Sequence, residues 1–284
     1  MDHNSKIVIP GGAGLVGQNT VTDLINQGYK NLVVLDKHKK NVEILKSMHP
    51  DITVVCVDLA DEGDWEKYFE GAEIVVQLQA QIGASSLEPF IRNNINSTKN
   101  IIKVIKKYNI PYTVHFSSSV VESVADDWYT NTKKEQEKLM TDSGVKCVIL
   151  RPTLMFGWFD RKHLGWLSRF MQKTPVFPIP GSGRYMRQPL YAGDMSNIVI
   201  SCMHSQITGT YNISGLEKID YIDINKLTQH TGDTTVTWYP YFAKNGNRVA
   251  SIIAGEYHDD DVDFYGAVPD AELFLADKVD GSSS

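Results

Sequence analysis

Cysteine is scarce in this chain. Cys56, Cys147 and Cys202 are the only three among 284 residues, far apart and each set in an apolar run. They read as buried free thiols of a reducing cytoplasm, not as a disulfide framework or a metal site. Positive charge is not in excess either. Lys and Arg number 28 against 34 Asp and Glu, a formal net charge of -6, which argues against a general nucleic-acid binder. No apolar run approaches the length of a membrane span, so no membrane association is expected. Met1 to Lys6 is polar and runs straight into an apolar stretch, so no signal peptide is expected and the expected location is cytoplasmic. Internal repeats are absent. What remains is an ordinary globular composition, long enough for one large domain or for a domain with a lobe.

Glycine, by contrast, is concentrated. The run Lys6-Ile7-Val8-Ile9-Pro10 meets Gly11-Gly12-Ala13-Gly14-Leu15-Val16-Gly17, and a second apolar run, Leu32-Val33-Val34-Leu35, ends in Asp36. Gly12, Gly14 and Gly17 fit G-x-G-x-x-G, and Gly11, Gly14 and Gly17 fit G-x-x-G-x-x-G. Strand, glycine turn, helix, strand and acid form the layout of a dinucleotide-binding βαβ unit. Gly11 or Gly12 makes the tight turn. Gly14 lets a pyrophosphate approach the backbone, and Gly17 lets the helix pack close to the sheet. The first-turn amides around Leu15 and Val16, with the helix dipole, suit phosphate. Asp36 can accept from ribose hydroxyls and repels a 2′-phosphate, so NAD is expected over NADP. Lys37, Lys39 and Lys40 read as a solvated basic turn.

Apolar runs then alternate with helical stretches. Strands are expected at 6–10, 31–36, 52–57, 73–78, 112–117 and 146–151, and helices at 14–28, 39–48, 64–69, 88–108 and 129–143. This alternation predicts an α/β fold with a doubly wound parallel sheet. Runs such as Ile74-Val75-Val76 suit strands buried on both faces. Residues 1–157 form the expected nucleotide-binding domain, to which 188–212 returns. Residues 158–187, broken by Pro175, Pro178 and Pro180, belong with 213–284 to a smaller lobe and tail. The last residues, Asp280 to Ser284, read as disordered.

Tyr129 and Lys133 stand four residues apart, about one helical turn, and so share a helix face. A neighbouring ammonium stabilises a phenolate, and a phenol so tuned can serve as a base nearer neutral pH. Upstream, Val114-His115-Phe116 ends in Ser117-Ser118-Ser119. A serine at the C-terminal edge of a parallel strand can face a cofactor crevice.

With these motifs in order, the chain resembles the short-chain dehydrogenase/reductase superfamily, above all its extended, NAD-dependent epimerase/dehydratase branch, over roughly the first 200 residues. The likeness covers the glycine turn, Asp36, Asp58-Leu59 at the family's adenine contact, and Gln79-Ala80-Gln81 in place of its His-x-Ala-Ala loop. It continues through Asn94-Ile95-Asn96-Ser97-Thr98-Lys99-Asn100, the serines, Tyr-x-x-x-Lys, Arg151-Pro152-Thr153-Leu154-Met155-Phe156-Gly157 and Gln188-Pro189-Leu190-Tyr191-Ala192-Gly193-Asp194-Met195. The resemblance implies a Rossmann-type fold. It implies Tyr129 as proton acceptor or donor, Lys133 lowering its pKa and holding the nicotinamide ribose, and Ser118 or Ser119 on the substrate oxygen. Gln79, Ala80 and Pro152 join the implied cofactor contacts. Gln81, Asn94 and Arg187 become substrate candidates, with Asn94 also able to support the catalytic helix and Arg184 beside Arg187. A homodimer through 88–108 and 129–143 is implied as well.

Three features depart from that pattern. Only Val120 to Trp128 separate serine from tyrosine, and Val-Tyr-Gly is missing after the serine. Leu154 stands where sugar-nucleotide enzymes carry an asparagine. Beyond about Asn245 nothing matches, and Asp259 to Asp263 reads as a solvated acidic loop. Trp158, Phe159 and Trp166 are candidates for a substrate cleft or for core, while His115 and His163 read as structural. Valines after the serines, with Glu122 further on, disfavour dehydration. The leading expectation is an NAD-dependent epimerase or oxidoreductase acting on a nucleotide-sugar. The alternatives are a cofactor-binding scaffold and a reductase of a smaller carbonyl substrate.

Overall fold

The structure is a computed structural model that describes residues 1–162, 164–171, 179, 181–224, 236–242 and 248–254. The described residues divide into two units, one of Met1–Pro152 with Gly193–Ile213, the other of Thr153–Ala192 with the described residues from Ser214 to Ala254.

The first unit holds a seven-stranded sheet. Its strands are β1 (Ile7–Pro10), β2 (Leu32–Asp36), β3 (Thr53–Cys56), β4 (Ile74–Gln77), β5 (Tyr112–Phe116), β6 (Cys147–Pro152) and, after the second unit, β10 (Gly209–Ile213). Their order is β10-β6-β5-β4-β1-β2-β3, and every pairing is parallel. The helices are α1 (Leu15–Asn26), α2 (Lys39–Met48), α3 (Glu88–Phe90), α4 (Ser97–Lys107), α5 (Trp128–Asp142) and α7 (Ala192–Ser205). The expected doubly wound parallel sheet is therefore present. The segment expected as a helix over 64–69 is a 3-10 turn, and the one over 88–108 is broken by a π-helical stretch at Ile91–Asn96.

Helical spacing explains the core. Ile101, Val104 and Ile105 recur at i, i+3 and i+4 on α4 and pack with Val8, Val33, Leu35 and Val75 of the sheet and with Trp65 and Phe69. Full burial of each such side chain contributes about 1.5–3 kcal/mol. Strand order reverses at β1, which has β2 on one side and β4 on the other. A crevice opens at the carboxyl ends of the strands at such a switch.

The second unit begins at Thr153, five residues before the expected boundary. The reason is pairing: β7 (Met155–Phe156) lies parallel to β9 (Leu190–Tyr191) in a small sheet of its own. β8 (Met186–Arg187) pairs antiparallel with β11 (Ile219–Asp220), and β12 (Val236–Phe242) with β13 (Arg248–Ala254). Phe156, Leu164 and Leu167, the last two on α6 (Leu164–Met171), form its core with Ile224. His163, Pro175, Pro178, Pro180, the Asp259–Asp263 run and the tail from Asp280 lie outside the described residues. No helix among the described residues is long and apolar enough to cross a membrane. No cluster among them could hold a metal ion.

Cys202 is buried as expected and Cys147 half-buried, but Cys56 is exposed. It ends β3, the edge strand of the sheet, where no neighbour covers it.

Candidate active site

The glycine turn joins β1 to α1. Gly11 has φ of 76°, and a Cβ there would come within 2.4 Å of the Gln79 amide nitrogen, so the loop after β4 packs directly on the turn. A Cβ on Gly17 would meet the Gly12 carbonyl at 2.3 Å, which is the close approach of helix to turn. Gly14 differs. A Cβ there would find only the Gly11 carbonyl, at 3.6 Å, so its outer side is open. Gly14 is also the N-cap of α1, and no side chain caps the helix. The first-turn amides, Leu15 and Val16 among them, are thus left for an anion. Asp36 ends β2 and accepts from the Ala13 amide at 3.1 Å and the His38 amide at 2.8 Å, which sets its carboxylate against the turn. This open cradle fits a dinucleotide.

Asp58 accepts from the Ala60 amide at 3.0 Å and faces Arg92 at 3.3 Å and Lys37 at 3.8 Å. Partial burial raises its pKa, but the amide and the two cations outweigh that and hold it below the usual carboxylate value. Lys37 is exposed, as expected, and also has polar partners. Its ammonium donates to Asn93 Oδ1 at 2.5 Å as well as facing Asp58, because the π-helical turn brings Asn93 to the end of β2. Leu59 directs its side chain into the core, and its carbonyl accepts from Asn100 at 3.0 Å.

Ala80 is exposed, and Gln79 and Gln81 are half-buried. The Gln81 side chain is engaged internally: Oε1 accepts from Asn93 at 2.8 Å and Nε2 donates to the Gly83 carbonyl at 2.5 Å. Asn94 corrects the substrate assignment. It is fully buried, its Oδ1 accepts from the Gln81 amide at 2.7 Å, and its Nδ2 donates to the Gln81 carbonyl at 3.2 Å and to Thr132 Oγ1 at 3.0 Å. With no surface and both ends of the amide committed, it cannot touch a substrate. It ties the loop after β4 to α5, which is the supporting role.

α5 starts at Asp127, whose carboxylate caps the Thr130 amide at 2.9 Å, the expected chemistry of an N-cap. Tyr129 sits in the first turn, half-buried, and Lys133 one turn on is 1 % exposed. Of the two candidate serines, Ser118 is buried and its hydroxyl accepts from the Val120 amide at 3.4 Å. Ser119 begins the short 3-10 turn that follows. The Lys133 ammonium has two partners of its own. It donates to the Phe116 carbonyl at 2.7 Å and to Gln136 Oε1 at 2.5 Å. Burial dominates at Tyr129 and pushes its pKa up; the Ser118 hydrogen bond opposes this and the nearby Asp127 adds to it. Burial brings Lys133 down to about 7, with Glu137 opposing.

Around them, Ser117 donates to Glu137 at 2.5 Å, Glu137 pairs with Arg151, and Arg151 reaches Glu122 at 2.8 Å. Sequence reading passed over Glu137, although it follows Lys133 by four residues on the same helix face. It also passed over Gln136, Arg92 and Asn93. Pro152 is buried at the end of β6 and pairs with Ile213. His115 is fully buried and held neutral, its pKa driven well below the ordinary value by burial and by Lys133.

In the second unit Arg187 is exposed, its guanidinium 5.0 Å from the Tyr185 ring centre, and Tyr185 stacks on Tyr221. Arg184 is exposed too. Trp166 is largely exposed and stacks on Phe170, Trp158 is half-buried, and Phe159 holds a left-handed φ of 68°. Leu154 packs against the Phe156 cluster.

Known proteins similar to this chain include two yeast enzymes. A sterol-4-alpha-carboxylate 3-dehydrogenase (decarboxylating) of Schizosaccharomyces pombe is 27 % identical over 190 residues, 59 % of this chain and 55 % of that protein. A UDP-glucose 4-epimerase of the same yeast is 31 % identical over 129 residues, 42 % of this chain and 36 % of that one. The chain thus spans between about a third and just over half of the length of these relatives. Among solved structures, a UDP-glucuronic acid 4-epimerase from Bacillus cereus in complex with NAD superposes with a TM-score of 0.73 at 20 % identity, covering 82 % of this chain and 85 % of that one, a likeness of fold. Residues 7–214, from the first strand to just past the last strand of the parallel sheet, match one family throughout, and the chain belongs to it: the NAD dependent epimerase/dehydratase family.

Proposed function

We propose that the chain is an NAD-dependent oxidoreductase or epimerase that acts at a hydroxyl-bearing carbon, with a nucleotide-sugar as its substrate class. The observation that supports this reading is Tyr129 with Lys133 buried one turn along α5, and buried Ser118 just past the carboxyl end of β5. The open cradle at Gly14 fits NAD, which Gly11, Gly14, Leu15, Val16, Gly17 and Asp36 would hold, with Asp58, Leu59, Gln79, Ala80, Lys133 and Pro152 as further cofactor candidates. When bound, it supplies the hydride acceptor and donor.

The chain's own residues supply the proton chemistry. A phenol pushed upward by burial stays protonated at neutral pH, and so suits donation to a carbonyl oxygen. In the opposite direction it must release that proton first, a step that the Ser118 hydrogen bond and any approach of the Lys133 ammonium favour. Ser118 can hydrogen-bond the same substrate oxygen, which fixes the reacting carbon. Gln81 and Arg187 remain substrate candidates, Arg187 for a diphosphate through its bidentate geometry. The homodimer belongs to this reading; Leu87, Ile91 and Trp128 expose apolar surface on the helices concerned, and sedimentation tests it.

A second reading, redox at a hydroxylated substrate without a nucleotide, draws on Leu154 in the place of a polar residue. It also draws on the sterol dehydrogenase and on a ceramide reductase of Caulobacter vibrioides, 20 % identical over 78 % of this chain. A thermal-shift matrix of NAD and NADP, each with UDP-, GDP-, CDP- and dTDP-sugars, separates the readings, since a ligand of the folded state raises the melting temperature. A rise with NAD and a further rise with one nucleotide class is expected; NAD alone acting would favour the second reading. With a substrate identified, Tyr129→Phe and Ser118→Ala each lose roughly 10²-fold or more in kcat, and Ser119→Ala much less. Normal turnover in Tyr129→Phe would overturn the mechanism.

A further inference from the structure

Lys133 is sealed inside the first unit at 1 % exposure, and its two hydrogen-bond partners come from residues that play no part in the chemistry above. One is the Phe116 carbonyl at the end of β5. The other is Gln136 Oε1, from the next turn of α5. Gln136 is itself fully buried, and its Nε2 donates to Thr98 Oγ1 on α4 at 2.9 Å. The side-chain amides of Gln77 on β4 and Gln79 in the loop after β4 come within 3.1 Å and 3.3 Å of the same hydroxyl. Gln79 is the residue whose backbone packs on Gly11. One continuous set of buried hydrogen bonds thus leads from the floor of the glycine turn, through Thr98 and Gln136, to the lysine.

The chemistry of this set is specific. A buried ammonium needs acceptors, and an amide oxygen provides one without a second charge. An apolar side chain at 136 would fill the same volume and leave the ammonium one acceptor short. An amide whose far end was not anchored would be free to turn away. Thr98 supplies that anchor.

Building on the Tyr129/Lys133 reading above, we propose that Gln136, anchored by Thr98, is the positioning residue of Lys133, and that it sets both where the ammonium sits and how firmly it keeps its proton. The other ionisable groups that bear on Lys133 are Glu137 on α5, which favours the charged form, and His115 on β5, which stays neutral.

The test reads Lys133 directly and needs neither substrate nor NAD, so its failure is distinguishable from failure of the proposed function. In the full chain, with lysines carrying ¹³C at Cε and the Lys133 signal assigned by its loss in Lys133→Met, the titration midpoint is followed by NMR. Gln136→Leu removes the acceptor and is expected to lower the midpoint by about one pH unit, the scale of one charge-assisted hydrogen bond. Gln136→Glu is expected to raise it by a similar amount. Thr98→Val shifts it the way Gln136→Leu does, by less, and Thr98→Ser restores it. A merely structural role would alter melting temperature and leave the midpoint alone. If Gln136→Leu does not fold, Gln136→Glu and Thr98→Val decide between them. A midpoint unmoved in the folded variants overturns the proposal.

Discussion

Asn94→Ala is the sharpest perturbation of the site's scaffold. Asn94 is fully buried and makes three hydrogen bonds, accepting from the Gln81 amide at 2.7 Å and donating to the Gln81 carbonyl at 3.2 Å and Thr132 Oγ1 at 3.0 Å. Alanine deletes all three. Thr132 loses least, since its hydroxyl also donates to the Trp128 carbonyl at 2.6 Å. The Gln81 amide and carbonyl are left without that partner, and each buried group stranded in this way costs about 1–3 kcal/mol. Partial exposure at Gln81 lets water relieve some of this, so the expected loss is about 3 kcal/mol. That corresponds to roughly 6–12 °C in melting temperature for a unit of this size. Urea unfolding measures the loss, and NAD affinity read by fluorescence titration should weaken with it, because the loop after β4 packs on Gly11. If Asn94 instead touched substrate, stability would change by less than about 0.5 kcal/mol and only substrate affinity would suffer. That outcome would refute the clamp.

Two further expectations follow from the same geometry. Gly11→Ala and Gly14→Ala should part company. The first forces a left-handed φ and a backbone collision at 2.4 Å and should cost about 2–5 kcal/mol in urea unfolding. The second meets only one atom at 3.6 Å and should leave stability within about 0.5 kcal/mol while weakening NAD roughly tenfold; equal destabilisation by both would sink the cradle. Lys133 carries a pH signature. Its folded pKa of about 7 lies below the ordinary 10.5, so between those values the unfolded chain binds more protons and this group makes stability rise with pH. Below about pH 7 its burial costs a few kcal/mol, a penalty relieved as pH climbs towards 10.5. The stability of Lys133→Met relative to wild type should therefore be most favourable below pH 7 and decline above it, and a flat difference across pH 6–10 would contradict the buried ammonium.

The local patterns in the sequence were enough for the frame. Strand–glycine–strand–acid around Gly11 to Asp36, the near-continuous apolar runs of β4 and β6, and the four-residue step from Tyr129 to Lys133 depend on short-range periodicity and backbone sterics, and these survive in one dimension. The burial of Ser118 against the half-exposure of Ser119 did not, because one residue of register past the end of β5 changes what covers each hydroxyl. Nor did the partners of Lys133. Its helix position puts it one turn from Tyr129, but burial with the Phe116 carbonyl and Gln136 decides where the ammonium rests. The surroundings of Asn93 and Asn94 were not legible for a related reason: both lie in the π-helical turn at Ile91–Asn96, and no apolar periodicity announces it. Sequence by itself determined the sheet, the glycine turn and the family. Only the tertiary structure decided which polar side chains face the site and which are consumed in holding it, since that depends on contacts between residues far apart in the chain.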